Sequence, residues 1–334
     1  MDLPPLAISL GDPAGVGPEL IAAAWAQREN SDLPPFFVAG GAEVLRAAAD
    51  RSGMTVPIVE LFHPAEALEH FGYALPVLAG ADGAYRPGDP DRAGAELALA
   101  SLTEAAQLTL RGEAAGLVTA PIAKALLAQV GFDYPGQTEF VAAVCSYAPG
   151  DAVMMLAGPQ LRTVPLTVHV ALKDVSGLIT SALIERKARI VAMALARDFG
   201  IERPRIAVAA LNPHAGEQGR MGDEDSRIIA PAVAALAAEG ISITGPHSAD
   251  GLFTSRARDG YDVALCMYHD QALIPLKTLD FDNGVNVTLG LPVVRTSPDH
   301  GTAFGIAGIG TANPGAMIAA IRMAGKCAAR RYGG

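Results

Sequence analysis

Three of the seven histidines stand where an imidazole could do chemistry. His169 closes the apolar run LTVH, His214 follows RIAVAAL within LNPHAGE, and His269 follows YDVALCMY within YHDQ. Each falls where a strand-like run gives way to a loop, and in an open α/β sheet ligands bind outside the carboxyl ends of the strands. Three imidazoles gathered there would hold one divalent ion and leave positions open for water or substrate. Nitrogen donors favour zinc or cobalt, whereas magnesium prefers oxygen. Asp250 and Asp270 are candidate partners that orient an imidazole or assist proton transfer; as helix caps or turn residues they would be structural. No local signature such as HExxH accompanies the three, so ordinary loop histidines are the plain alternative. His63 and His70, seven apart on an expected surface helix, have no such context, and His247 in GPHSAD stays open.

A second set of residues is cationic. Lys277 and Arg295 lie in LKTLDFDNGVNVTLGLPVVRTS among apolar neighbours, where a charge is costly unless paired. They suit a carboxylate or phosphate, Arg295 by two-pronged binding, and Asn286 lies between them in sequence. Lys124, in TAPIAKALL, opens a helix and is a further candidate.

Two loops have the composition of ligand cradles. GDPAGVGPE (11–19) follows the first strand and opens the first helix, whose N-terminal N–H groups suit an anion; a tight structural turn is the alternative. DHGTAFGIAGIGTANPGAM (299–317) leads into the last helix. Such a loop can wrap a flat ring with backbone at Gly301, Ala303 and Gly308, while His300 and Asn313 supply hydrogen bonds; otherwise it is a glycine-rich crossover.

These residues need a scaffold, and the apolar pattern supplies one. LAISL (6–10), FFVAG (36–40), GLVTA (116–120), RIAVAAL (205–211) and YDVALCMY (261–268) read as strands. PELIAAAWAQR (18–28), AEVLRAAAD (42–50) and IAKALLAQV (122–130) read as helices. Strands alternating with helices predict βαβ units and a mostly parallel sheet. VMMLAGPQLRTVPLTVHV (153–170) reads instead as an antiparallel hairpin around a Gly-Pro turn. The chain has 334 residues, half of them apolar, enough for a two-lobed α/β molecule.

Net charge is −10 and no Lys/Arg-rich stretch occurs, which excludes phosphate-neutralising contact with nucleic acid. An anionic substrate must therefore be attracted locally. Cys145, Cys266 and Cys327 are few and far apart, as in a reducing compartment. The first residues lack the cationic start of a signal peptide, and no apolar run is long enough to span a bilayer, so a cytoplasmic protein without membrane contact is expected.

The motifs GDPAGVGPE, TAPIAK, PGQTEF, LNPHAGEQGRMGDED and GPHSAD, with the long block from YDVALCMYHDQ to TANPGAM, resemble the 4-hydroxythreonine-4-phosphate dehydrogenase family over nearly the whole chain. The last loop is also similar to the adenine loop of isocitrate and isopropylmalate dehydrogenases. The resemblance implies a fold akin to those dehydrogenases: two lobes with a cleft between them, a nucleotide-side lobe from 1–130 with 290–334, and a metal, substrate and dimerisation lobe from 131–289. It implies a homodimer in which His169, His214 and His269 bind a divalent metal at the subunit interface, two from one chain and one from its partner. Zinc suits the donors best, with magnesium or cobalt as alternatives. Substrate positions map onto Thr138, Lys277, Asn286 and Arg295. Gln137 stands where the family usually has His, and an amide cannot carry a proton at neutral pH.

The implied reaction is oxidation of 4-phosphohydroxy-L-threonine at C3 with NAD or NADP, followed by decarboxylation. Lys277 would act with Asp250 or Asp270. Two other readings stand beside it. One is a relative acting on a cis-dihydrodiol carboxylate, for which Gln137 leaves room. The other is a three-histidine zinc hydrolase, which has no need of a dinucleotide loop.

Overall fold

The computed structural model describes residues 3–333. Its strands are β1 (Leu6–Ser9), β2 (Phe36–Ala39), β3 (Ile58–Leu61), β4 (Leu75–Leu78), β5 (Leu117–Thr119), β6 (Val153–Ala157), β7 (Arg162–Pro165), β8 (Ile206–Ala209), β9 (Ile243–His247), β10 (Val263–Cys266), β11 (Val285–Leu289) and β12 (Arg295–Pro298). The chain forms two compact units, Met1–Ala152 with Leu291–Gly334, and Val153–Gly290.

In the first unit β3, β4, β2, β1, β5 and β12 lie side by side in that order, each parallel to its neighbours. β1, β2, β4 and β5 are buried at every position, as strands covered on both faces must be. The helix Arg92–Leu110 supplies much of that cover. Asp91 caps it, accepting from Gly94 N–H at 2.7 Å. Its buried positions Ala95, Ala98, Leu102, Ala105, Ala106 and Thr109 recur at three- and four-residue steps, one apolar stripe. Phe132, Phe140 and Val141 share a core with Leu102 and Leu117, so 131–152, expected in the second lobe, folds with the first.

In the second unit the order is β11, β6, β7, β10, β8, β9. β6 is antiparallel to both β11 and β7, and the remaining neighbours are parallel. The antiparallel hairpin expected around Gly158–Pro159 is present, with Ala157 opposite Arg162. β7 stops at Pro165, short of the expected end at 170. The helix Ser181–Phe199 begins at Thr180, whose hydroxyl accepts from Leu183 N–H, and ends at a left-handed Gly200.

Two smaller expectations also change. The stretch 122–130 is a short helix, Lys124–Leu127, followed by a 3-10 turn. His63 and His70 do not share a helix: His63 precedes the turn Pro64–Glu66, and His70 ends Ala67–His70. The cysteines form no disulfide. Among the described residues no helix is long and apolar enough to cross a membrane.

Leu102 is fully buried in the core of the first unit. Leu102→Ala should lower unfolding free energy by about 2–5 kcal/mol, read as a lower urea midpoint at unchanged slope.

Candidate active site

The first unit assembles a buried cation with polar partners. Arg295 opens β12 beside β5 and is 4% exposed. Its Nη2 donates to Thr119 Oγ1 at 2.7 Å and to Gln137 Oε1 at 3.0 Å, and its Nη1 donates to Thr138 Oγ1 at 3.3 Å. Gln137 and Thr138 open the helix Gln137–Val144. The Gln137 amide is oriented at both ends. Its oxygen must face a guanidinium that only donates, and its Nε2 donates to the Ala120 carbonyl at 3.1 Å. Burial presses the Arg295 guanidinium down to about 10, opposed by the charge of Glu139, and the group stays protonated at neutral pH. Lys124 lies against the start of the same helix, its Nζ 3.5 Å from where a Cβ on Gly136 would stand. Three sequence-predicted residues, Gln137, Thr138 and Arg295, thus meet in one cluster. Thr119, at the carboxyl end of β5, joins them; its place at the end of the apolar run GLVTA was the available signal.

The loop after β12 divides by exposure. His300, Gly301, Ala303 and Asn313 are exposed. His300 Nδ1 lies 3.0 Å from Gly301 O, and Asn313 Oδ1 accepts from Gly315 N–H at 2.9 Å, a turn just ahead of the last helix. Ala303 is left-handed, φ 46°. Gly308, grouped with them from the sequence, is turned inward and buried. GDPAGVGPE is not an open anion cradle either: residues 11–19 are all buried. Val16 N–H donates to Thr302 O at 2.9 Å, and a Cβ on Gly15 would stand 2.8 Å from that oxygen.

In the second unit the three histidines follow neighbouring parallel strands, His169 after β7, His269 after β10 and His214 after β8. The rings of His169 and His269 lie 5.6 Å apart, centroid to centroid. Among the described residues no group of three or more His, Cys, Asp or Glu side chains is placed to hold a metal ion. Asp270 Oδ1 lies 2.7 Å from His269 Nδ1, which leaves Nε2 free for a ligand. Ser248 Oγ donates to Asp250 Oδ1 at 2.6 Å. That bond, with smaller help from the Gly251 N–H and from His214, holds the Asp250 carboxyl below its ordinary range. Lys277 is in the last turn of the helix that His269 opens, 6.0 Å from the centroid of the Phe281 ring. Asn286 Oδ1, on β11, is buried with no hydrogen-bond partner among the described residues.

The histidine loops are strained. His169 has φ 53°, and His214, Ala215, Glu217 and Gln218 are all left-handed. Asp225, missed in the sequence, pins the approach to His214: its carboxylate accepts from Leu211 N–H at 2.8 Å, Asn212 N–H at 3.1 Å and Asn212 Nδ2 at 3.0 Å. Lys187, also missed, donates to Leu166 O at 2.9 Å and Pro165 O at 3.3 Å, occupying carbonyls where β7 stops. Burial, helped by Arg186, pushes its ammonium down to about 8.

Comparison with known proteins matches residues 32–324 to the family described as pyridoxal phosphate biosynthetic protein PdxA. A 4-hydroxythreonine-4-phosphate dehydrogenase of Erythrobacter litoralis is 64% identical over 98% of this chain and 97% of its own. The crystal structure of a 4-hydroxythreonine-4-phosphate dehydrogenase from Klebsiella pneumoniae superposes with a TM-score of 0.86 at 38% identity, covering 98% of both chains. A terephthalate 1,2-cis-dihydrodiol dehydrogenase from Burkholderia xenovorans superposes with a TM-score of 0.66 at 29% identity, covering 97% of this chain and 98% of that one.

If the Arg295 cluster receives an anion, inorganic phosphate should raise the melting temperature of the wild type but not of Arg295→Met; equal shifts would sink that assignment. Lys187 generates a pH prediction. Its folded value, about 8, lies below the ordinary 10.5, so between them the unfolded chain binds more protons. Stability should therefore rise with pH across that window, and urea midpoints of Lys187→Met should rise less.

Proposed function

The chain belongs to the PdxA family, and we propose that it oxidises 4-phosphohydroxy-L-threonine at C3 with NAD or NADP to 2-amino-3-oxo-4-(phosphooxy)butanoate, which loses CO2 to give 3-amino-2-oxopropyl phosphate. The observation that carries this reading is the buried Arg295 guanidinium, met by Thr119, Gln137 and Thr138, a preset receptor for a phosphate ester. The higher identity to 4-hydroxythreonine-4-phosphate dehydrogenases favours this substrate over a cis-dihydrodiol carboxylate. The exposed rim of the loop at His300, Gly301, Ala303 and Asn313 takes the dinucleotide.

His169 and His269 suit a divalent cation, zinc foremost. Their rings are adjacent, and Asp270 orders one of them. His214 completes the set, in a homodimer in which two of the three histidines come from one chain and one from its partner. When bound, the cation would supply Lewis-acid polarisation of the C3 hydroxyl, and a nicotinamide at the loop would supply the hydride acceptor.

The chain's own residues do the rest. Arg295, Gln137 and Thr138 hold the phosphate, and Thr119 keeps the guanidinium aimed. Asn286 Oδ1, buried and without a hydrogen-bond partner among the described residues, accepts from the substrate amine or hydroxyl. Asp250, kept ionised by Ser248, accepts the hydroxyl proton as the carbonyl forms. In the second step the C1–C2 bond breaks, its electron pair moves into the C2–C3 enolate, and Lys277 returns a proton to C2 while its charge stabilises the enolate.

The test follows nicotinamide reduction with 4-phosphohydroxy-L-threonine before and after chelation, with zinc added back. Reduction that is lost on chelation and regained with zinc is the expected result. No reduction by folded, zinc-loaded protein would reject the substrate and make a cis-dihydrodiol carboxylate the next trial.

A further inference from the structure

The geometry points to Glu19 and Arg51 as positioning residues for the dinucleotide, because together they grip the backbone of Gly308 and hold the 299–314 loop in its binding shape. This rests on the reading of that loop given above. Glu19, 4% exposed, sits in the first turn of the helix Gly17–Ala26. Its Oε2 accepts from Gly308 N–H at 3.2 Å, and Ser52 Oγ lies 3.4 Å from the same oxygen. From the other side Arg51 Nε donates to Gly308 O at 3.0 Å. Gly308 is left-handed, φ +70°, and a Cβ there would stand 2.7 Å from both Arg51 Nε and Pro87. No other residue type lets the grip close so tightly.

Packing alone does not call for a carboxylate at position 19. Burial pushes the Glu19 carboxyl up, the Gly308 N–H pulls it back, and its Oε1 has no hydrogen-bond partner among the described residues. An apolar side chain of similar size would avoid that desolvation cost. What it would lose is the one acceptor that fixes where the Gly308 peptide points. The grip and the Val16-to-Thr302 hydrogen bond secure the loop at two places, and exposed Ala303 lies between them.

The test uses the full-length protein and three variants. Glu19→Leu removes the acceptor, Glu19→Gln keeps a carbonyl oxygen for Gly308 N–H, and Arg51→Ala releases the other side. Amide hydrogen exchange is read across 303–312. NADH affinity is measured by titration, and phosphate affinity at the Arg295 cluster serves as the control. In Glu19→Leu we expect faster exchange in the loop, NADH bound about tenfold more weakly, the equivalent of one hydrogen bond, and phosphate binding unchanged. Glu19→Gln should recover most of the affinity. Unchanged NADH affinity in folded Glu19→Leu overturns the proposal, as does equal weakening of NADH and phosphate. If Glu19→Leu does not fold, Arg51→Ala decides in the same terms. A wild type that binds phosphate but no NADH or NADPH removes the dinucleotide reading and the grip with it, whereas normal wild-type binding with unaffected variants removes the grip alone.

Discussion

A guanidinium placed where water cannot reach it constrains everything around it. Taking a cation out of water costs several kcal/mol unless other groups replace the hydration it lost. At Arg295 those groups come from separate stretches of the first unit: Thr119 at the end of β5, and Gln137 and Thr138 at the start of a helix. They converge because β12 runs parallel to β5, with Arg295 level with Leu117 and Thr296 level with Val118. A slip of one residue would turn the cation to the opposite face of the sheet. Parallel register, buried strands and the apolar stripe of Arg92–Leu110 all serve that one placement.

The second unit solves a different problem. It places imidazoles on backbone that ordinary residues resist adopting. A left-handed residue other than glycine costs roughly 1–2 kcal/mol, and four of them fall between His214 and Gln218. The restraint comes from a buried carboxylate, Asp225, which takes three N–H groups just ahead of the strained run. Strain held in this way keeps His214 from relaxing into a commoner loop shape.

Much of this was legible in the chain. Uninterrupted apolar runs such as LAIS and FFVA are strands buried on both faces, and an apolar run is the plainest pattern there is. The Gly-Pro turn announced its hairpin. Each of the three histidines was legible as lying beyond a strand because it stands at or after such a run, though β7 ends at Pro165, ahead of His169. What stayed hidden depends on partners distant in sequence. LTVH reads as strand, yet Lys187 takes the carbonyls at which β7 ends. GDPAGVGPE reads as an anion cradle, yet Thr302 fills the space in front of it. Gly308 reads like its exposed neighbours, and only Glu19 and Arg51 reveal that it faces inward. The stretch 131–152 carries no composition break, so its membership of the first unit shows only in the core that Phe132 and Phe140 share with Leu102.

The order of segments along the chain has a consequence during synthesis. The first unit is built from both ends of the chain, with Val153–Gly290 between them. When residue 152 has left the ribosome, Thr119, Gln137 and Thr138 already exist, but the arginine they surround does not. At translation rates of about 5–20 residues per second, it follows residue 152 by roughly seven to thirty seconds. Through that interval β5 is an open sheet edge, able to pair with any passing strand. The intervening unit can fold in that time, since its strands pair among themselves. The nascent first unit, unable to close until β12 arrives, is where a chaperone would do most good.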